Sequence, residues 1–350
     1  MDQVPSLHFS CGRKQNVMGD TPLPPGSLHQ RAGLFFEMFM IPRFTAWKAT
    51  TPAAASRGQS APSQARGILL IISSTAFFAV SDVITKQLTA TLPAGEVAWM
   101  RYAIFVLLVL PAIFVNGGGT LLRSHRPGLQ ILRGLGMVGS TVAFTCGLRF
   151  LPVADATAIN FVSPILIMAL SVLLLGETVG WRRWSAAAFG LLGVMIVMRP
   201  GTGAFQTAAF LPLLAAANWA GAAVATRKMS GSDHALTTLA YSAIVGFLVL
   251  SAALPFAWVT PGRTEIALGL GIGILSTIGH WFVILAYRHG DASVLAPFSY
   301  TQLIAAGALG YLVFGALPDR WTILGAGIIA ASGLYTAYRA RIRAREKAPA

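Results

Sequence analysis

Hydrophobic residues recur in long runs, separated by short polar stretches, from Ile68 to Tyr338. Each run is close to twenty residues, and twenty residues of helix rise about 30 Å, the thickness of the hydrocarbon core of a bilayer. This pattern predicts an all-α polytopic membrane protein with ten transmembrane helices. The predicted spans are 67–86, 94–115, 130–149, 154–175, 182–198, 207–226, 236–258, 266–287, 292–314 and 321–338.

Residues 1–66 lack this pattern. The stretches "TPLPPGS" and "TPAAASRGQSAPSQARG" are rich in Pro, Ser, Ala and Gly, a composition typical of disorder. The apolar patch at 33–42 is too short to span a bilayer and contains Glu37. No small-residue cleavage pattern follows it, which argues against a cleaved signal peptide. We interpret 1–66 as a disordered N-terminal extension, and a start codon downstream of it would leave it untranslated. An interfacial helix near 33–41 is the alternative.

The two halves of the apolar region are related in sequence. The segment "GLRFLPVADATAINFVSPILIMALSVLLLGETVGW" (147–181) aligns with "AYRHGDASVLAPFSYTQLIAAGALGYLVFGALPDRW" (286–321), which pairs Gly176 with Gly315. Each unit holds an odd number of predicted spans, so the second must enter the membrane from the opposite side. We therefore predict two inverted five-helix repeats, at 67–200 and 201–338, followed by a basic tail at 339–350.

Composition and charge agree with a membrane location. The chain is 55% hydrophobic and 11% charged, whereas soluble domains average about 25% charged residues. The net charge of +14 is distributed over short loops and the tail, which argues against a nucleic-acid-binding patch. More Lys and Arg fall on the side that holds both termini, so we expect both termini in the cytoplasm and the protein in the inner membrane. The two cysteines suggest neither a disulfide framework nor a metal site.

Several stretches resemble the drug/metabolite transporter superfamily, EamA type. They are "SDVITKQL" (81–88), "EVAWMRY" (96–102), "HRPGLQILRGL" (125–135), "LGETVGWRRWSAAAFGLLGV" (175–194) and "TQLIAAGALGYLVFGALPDRWTILGAGIIAASG" (301–333). With "YSAIV" (241–245), they are most similar to bacterial S-adenosylmethionine uptake carriers, and rhizobial-type riboflavin carriers are the other relatives considered. The resemblance implies two five-helix units that carry a small metabolite.

The halves have nevertheless diverged. Ala316 stands where the first half has Glu177, and Leu303 stands where it has Pro164. Binding residues therefore cannot be transferred from one half to the other by symmetry.

Ionisable residues inside the predicted spans are candidates for function, because they are unfavourable in lipid. Asp82 and Lys86 are four residues apart and therefore share one helical face. They form either an ion pair whose lysine snorkels to the headgroups or a polar gate at the outer mouth. Arg101 either lines a cavity or pairs with Glu96 or Asp82. His280 either relays protons or bonds to a neighbouring helix.

Two predicted spans contain a proline near matched polar and aromatic residues. Pro164 follows Asn160 and Phe161, and Pro297 precedes Ser299 and Tyr300. Paired broken helices are typical of a midplane solute site. The candidate substrate-binding residues are Arg101, Asn160, Asn218, Trp219, His280, Trp281, Ser299, Tyr300 and Gln302.

The sequence thus predicts a secondary transporter that works by alternating access, with no cofactor, no metal and no catalytic residues. The motifs G-x-x-x-x-G-K-[ST], H-E-x-x-H and G-x-S-x-G are absent, so neither ATP hydrolysis nor a membrane-embedded enzyme is indicated. A receptor is a remote alternative. The expected partners are a small-molecule substrate and the lipid bilayer, with no nucleic acid and a homodimer left open.

The substrate prediction rests on aromatic side chains beside cations. Trp219, Trp281, Phe298 and Tyr300 would give stacking walls near Arg101. A planar neutral or anionic molecule suits such a site, so riboflavin uptake is the first expectation. S-adenosylmethionine or an amino-acid derivative is the alternative.

Overall fold

The computed structural model describes residues 61–116, 119, 122–176, 180–200, 207–229, 232–233, 235–289, 295 and 298–346. Regular secondary structure within these residues is entirely helical. The helices are α1 Ala61–Leu88, α2 Ala94–Asn116, α3 Pro127–Phe150, α4 Val153–Asn160, α5 Ser163–Leu175, α6 Trp181–Met198, α7 Phe210–Lys228, α8 Ala235–Ala253, α9 Arg263–His289, α10 Thr301–Phe314 and α11 Arg320–Glu346. Of the predicted disordered extension over 1–66, residues 1–60 lie outside the described residues, as do Glu177 and Pro297. Residues 61–66 belong to α1, so the helix begins six residues before the predicted start of the first span at 67.

Seven helical stretches in the described residues are long and apolar enough to cross a membrane. They are Ala65–Leu88, Ala94–Phe114, Pro127–Phe150, Val153–Leu175, Thr207–Lys228, Leu236–Phe256 and Arg263–Val283. Two shorter apolar helices, Trp184–Met198 and Thr301–Phe314, accompany them. The chain is therefore a multi-pass helical membrane protein. α11 continues to Glu346, beyond the predicted end of the last span at 338.

The fourth predicted span is interrupted where the sequence indicated. α4 ends at Asn160 and α5 begins at Ser163, so Phe161 and Val162 form the junction. Pro164 lies in the first turn of α5, where its missing N–H leaves no helical bond unmade. Phe161 N donates to Thr157 O at 3.1 Å, so the backbone stays hydrogen-bonded through the break. This keeps polar backbone groups satisfied at membrane depth.

The glycines paired by the sequence alignment have the same conformation. Gly176 ends α5 with φ 67°, and Gly315 ends α10 with φ 66°. A left-handed residue just after a helix is usually glycine because a Cβ is unfavourable there. The two helix ends are therefore equivalent in local structure.

Helix contacts correspond between the halves. α1 packs extensively on α9, and α7 packs equally closely on α3. In the same way α2 contacts α9 while α8 contacts α3, and α10 contacts α1 while α5 contacts α7. α6 and α11 form a further close pair.

Small residues allow the closest helix approaches. A Cβ at Gly193 would lie 2.8 Å from Gly325 O, so α6 and α11 meet at their backbones. Likewise Gly269 and Gly273 of α9 face Met100 and Ile104 of α2, with no space for a methyl group. Such contacts are typical of helix packing in lipid, where close approach drives association.

Candidate functional site

A cluster of polar side chains from α1, α2 and α10 lies in the interior of the bundle. Asp82 of α1 is only 6% exposed. Gln302 of α10 donates from Nε2 to Asp82 Oδ2 at 3.2 Å. Arg101 of α2 attracts the Asp82 carboxylate electrostatically, although no N–O contact of 4.0 Å or less joins them. We call Asp82, Arg101 and Gln302 the outer polar cluster, because they lie toward the end of α1 that the charge pattern assigns to the outside.

Arg101 is held by hydroxyl groups of α1. Its Nη2 donates to Thr85 Oγ1 at 2.8 Å and to Ser81 Oγ at 3.4 Å. Thr85 Oγ1 itself donates to Ser81 O at 2.7 Å, which leaves its lone pairs for the guanidinium. Arg101 Nε is buried and has no hydrogen-bond partner. The guanidinium therefore retains a donor for another ligand.

The predicted ion pair between Asp82 and Lys86 does not form. Lys86 Nζ donates instead to Leu148 O at 2.9 Å and to Leu151 O at 2.7 Å, at the carboxyl end of α3. It also lies 5.7 Å from the ring centroid of Phe314. Carbonyls at the end of a helix attract a cation, so Lys86 ties α1 to α3.

Glu96, the other predicted partner of Arg101, is also engaged elsewhere. Its side chain is buried, and Oε2 accepts the backbone N–H of Val259 at 3.1 Å. This bond joins the start of α2 to the segment that precedes α9. Trp99 adds a second link nearby, since its Nε1 donates to Ser251 Oγ at 2.9 Å.

His280 lies among aromatic rings in the middle of α9. Its ring centroid is 5.0 Å from that of Phe78 and 6.0 Å from that of Phe105. Its Nδ1 is 2.8 Å from Ser276 O in the same helix, so one ring nitrogen is already hydrogen-bonded locally. Trp281 is half-buried beside it.

The matched residues Phe161 and Tyr300 come together. The Phe161 and Tyr300 rings lie 5.1 Å apart between centroids, and the Tyr300 hydroxyl sits directly over Gly333 of α11. Asn160 Oδ1 is buried without a hydrogen-bond partner. Ser299 immediately precedes this contact.

Two predicted site residues on α7 lie apart from the outer polar cluster. Asn218 Nδ2 donates to Leu214 O at 2.9 Å, and its side chain faces Gly139 of α3. Trp219 is 39% exposed. No described contact joins Asn218 or Trp219 to Asp82, Arg101 or Gln302.

Sequence reasoning missed a second arginine inside the bundle. Arg133 Nε donates to Thr226 Oγ1 of α7 at 2.8 Å, and Nη1 donates to Thr238 O of α8 at 3.3 Å and to Ser242 Oγ. The predicted third span began at 130, which put Arg133 at its edge. The helix begins at Pro127 instead, so Arg133 lies almost two turns inside it.

A further cluster, also missed, closes the opposite end of the bundle. The Asp233 side chain is 1% exposed and accepts hydrogen bonds from His125 N at 2.9 Å, Gln130 Nε2 at 2.7 Å and Ser124 Oγ. Burial acts to raise the pKa of Asp233, but these hydrogen bonds outweigh it and lower the pKa to about 2. Asp233 is therefore ionised, and it links the loop before α3 to the loop before α8.

A cavity of about 670 Å³ lies between α10, α11 and α4, and Tyr300, a predicted site residue, contributes to its lining. Its lining is almost entirely apolar, with Leu317, Ile323 and Ala326 among the contributing side chains. The described residues contain no group of three or more His, Cys, Asp or Glu side chains that could hold a metal ion.

An all-helical multi-pass fold with charged residues enclosed by the bundle is typical of membrane transporters. The model of the EamA-like transporter family matches the chain twice, over residues 65–199 and 206–338. The chain therefore belongs to the EamA-like transporter family.

Similar proteins support the same class. The S-adenosylmethionine uptake transporter of Rickettsia felis is 32% identical over 274 residues, which cover 77% of this chain and 90% of that protein. The riboflavin transporter of Rhizobium johnstonii is 31% identical over 291 residues, covering 81% and 94%. A solved crystal structure superposes with a TM-score of 0.57 at 18% identity, over 81% of this chain and 99% of that chain, and so shares the fold. The family and these relatives are transporters, in agreement with a protein that is not an enzyme.

Proposed function

We propose that this protein is a secondary transporter of the inner membrane, which carries a small organic metabolite by alternating access. It crosses the membrane ten times as two inverted five-helix repeats, with both termini in the cytoplasm. The corresponding helix contacts of the two halves and the shared conformation of Gly176 and Gly315 support this arrangement. Reporter fusions test it: both ends of the chain and residue 231 should report cytoplasm, and residue 261 should report the outside.

The outer polar cluster is the proposed site of solute recognition. Asp82 and Arg101 place a carboxylate and a guanidinium in one enclosed region without forming a direct ion pair. Opposite charges held apart suit a zwitterion, whose ammonium faces Asp82 and whose carboxylate faces Arg101. This observation favours an amino-acid-derived solute, and S-adenosylmethionine is our first candidate because a similar protein carries that name.

Riboflavin, the first expectation from the sequence, is the second candidate. The ring cluster of Phe78, Phe105 and His280 supports it, because a planar flavin can stack on such rings. A relative of comparable identity is named a riboflavin transporter.

Counterflow in proteoliposomes distinguishes these solutes. Vesicles loaded with unlabelled S-adenosylmethionine should accumulate labelled S-adenosylmethionine transiently, and Asp82→Asn should reduce this about tenfold. Riboflavin counterflow that is unaffected by Asp82→Asn would select the second candidate. The absence of counterflow with either solute, or with amino acids, in correctly inserted protein would overturn the proposed carrier.

A further inference from the structure

Arg101 and Arg133 each lie about two turns into a helix, at opposite ends of the bundle. Arg101 lies two turns into α2 and donates to Thr85, near the end of α1. Arg133 lies almost two turns into α3 and donates to Thr226, near the end of α7. Thr85 precedes Lys86 and Thr226 precedes Arg227, each in the last turns of a helix. Because α1 and α7 run in opposite directions in the proposed topology, one arginine–threonine pair lies in the outer half and the other in the inner half.

Arg101 and Arg133 are within electrostatic range of the same two side chains. Both arginines act electrostatically on Tyr102 and on His280. Tyr102 and His280 are linked through Phe105, whose ring centroid is 6.2 Å from that of Tyr102 and 6.0 Å from that of His280. An aromatic segment therefore connects the surroundings of Arg101 to those of Arg133.

Arg133 has no carboxylate partner among the described residues. Its three hydrogen bonds all go to neutral acceptors, namely Thr226 Oγ1, Thr238 O and Ser242 Oγ. Arg101, in contrast, is compensated in part by Asp82. The Arg133 side chain is only partly buried, and its bond to Thr226 is exposed. A cation within a transmembrane helix that has no counterion is still unfavourable, and an anionic ligand reduces that penalty. Nη2 of Arg133 makes none of these three bonds, so the guanidinium keeps donors for such a ligand.

We propose that Arg133 is a second solute-binding residue, which takes the carboxylate of the transported molecule in the inner half of the path. This inference rests on the proposed carrier function and deepens it, because it assigns the substrate class as carboxylate-bearing. The carboxylate of the solute then moves between Arg101 and Arg133 as access alternates. Tyr102, Phe105 and His280 line the path between the two arginines.

Transport of two probes tests the proposal. The probes are S-adenosylmethionine and its decarboxylated analogue, each measured by counterflow in proteoliposomes. Wild-type protein should prefer the carboxylate-bearing probe about tenfold or more, the range expected for a hydrogen bond between charged groups. Arg133→Gln should reduce this preference at least tenfold and leave uptake of the analogue nearly unchanged. Equal loss of both probes would show a structural role and overturn the proposal.

Control variants separate charge from packing. Thr226→Val removes a hydrogen-bond partner of Arg133 but keeps its charge, so the preference between probes should persist. Arg126→Gln removes an exposed cation at the start of the same helix and should leave the preference unchanged. If Arg126→Gln also lost the preference for the carboxylate-bearing probe, the preference would come from the overall positive charge of the protein, and a local site at Arg133 would be refuted.

A binding measurement keeps the inference testable if neither probe is carried. Purified wild-type protein should be more thermostable in sodium acetate than in sodium chloride at equal ionic strength. Arg133→Gln should reduce this difference, and Arg101 accounts for any part that remains. If counterflow fails but acetate still stabilises the wild type more than Arg133→Gln, the proposed solute is rejected and the carboxylate site is retained. An equal acetate effect in wild type and Arg133→Gln would reject the site.

Discussion

Phe161 and Tyr300, one from each half of the chain, pack as tilted rings with 5.1 Å between their centroids and an interplanar angle of 35°. The alignment that pairs Gly176 with Gly315 also pairs these two residues. Residues related by a two-fold axis contact one another only near that axis. In an inverted repeat the axis lies in the membrane plane, so this contact lies near mid-depth under the proposed topology.

The Tyr300 position depends on Gly333. A Cβ at Gly333 would overlap the Tyr300 hydroxyl. We therefore expect Gly333→Ala to displace the Tyr300 ring from Phe161 and to reduce the transport rate several-fold, measured as counterflow at matched protein density. Gly327→Ala, on the same helix, is the control, since a Cβ at Gly327 would meet no atom within 4 Å. Equal activity of the two variants would mean that the ring contact is dispensable.

Arg101 should be required for transport but not for insertion. Removing its guanidinium leaves Thr85 and Ser81 able to bond within their own helix, so the bundle should still form. Arg101→Ala should lower solute uptake about tenfold or more, because a hydrogen bond to a charged group contributes roughly 1.5–3 kcal/mol. Uptake and membrane content should be measured together. Arg263→Ala, at the exposed start of α9, supplies the comparison, and wild-type uptake by Arg101→Ala would remove Arg101 from the site.

The Asp233 cluster should give a pH-dependent stability. The pKa of Asp233 lies near 2 in the folded protein, below its usual value of 3.8. A lowered folded-state pKa means that the ionised form stabilises the protein above about pH 4, and that this contribution is lost as the pH falls toward 2. The difference in apparent Tm between wild type and Asp233→Asn should be largest near pH 5 and should disappear near pH 2. A difference that stays constant over this range would contradict the assignment.

Local features of the fold followed from the sequence more readily than contacts between helices. The interruption near Pro164 and the ends at Gly176 and Gly315 depend on residues that restrict or permit the backbone where they stand. The hydrogen-bond partner of Asp82 was not predictable in this way, because Gln302 comes from a helix more than two hundred residues away. Spacing indicates which residues can share a face, whereas tertiary packing decides what that face meets.

Arg133 illustrates a different limit. Its motif, "HRPGLQILRGL", was visible, but hydropathy put the start of the span at 130. Pro127 at the first position of α3 starts the helix earlier and moves Arg133 into the bundle. A prediction that weighed proline as a start signal would have found this arginine.

Lys86 has either a structural role or a gating role, and one variant distinguishes the two. Its ammonium caps α3 by donating to Leu148 O and Leu151 O, and it makes no ion pair with Asp82. Lys86→Met keeps the length of the side chain and removes the charge, so the α3 carbonyls lose their donor. We expect a loss of stability of about 1.5–3 kcal/mol, seen as a lower apparent Tm, because hydrogen bonds to charged groups contribute in that range. Counterflow at a temperature well below the transition should change by less than twofold. If uptake falls strongly while the Tm is unchanged, Lys86 acts as part of the gate at the outer mouth and its bonds to α3 are incidental to stability.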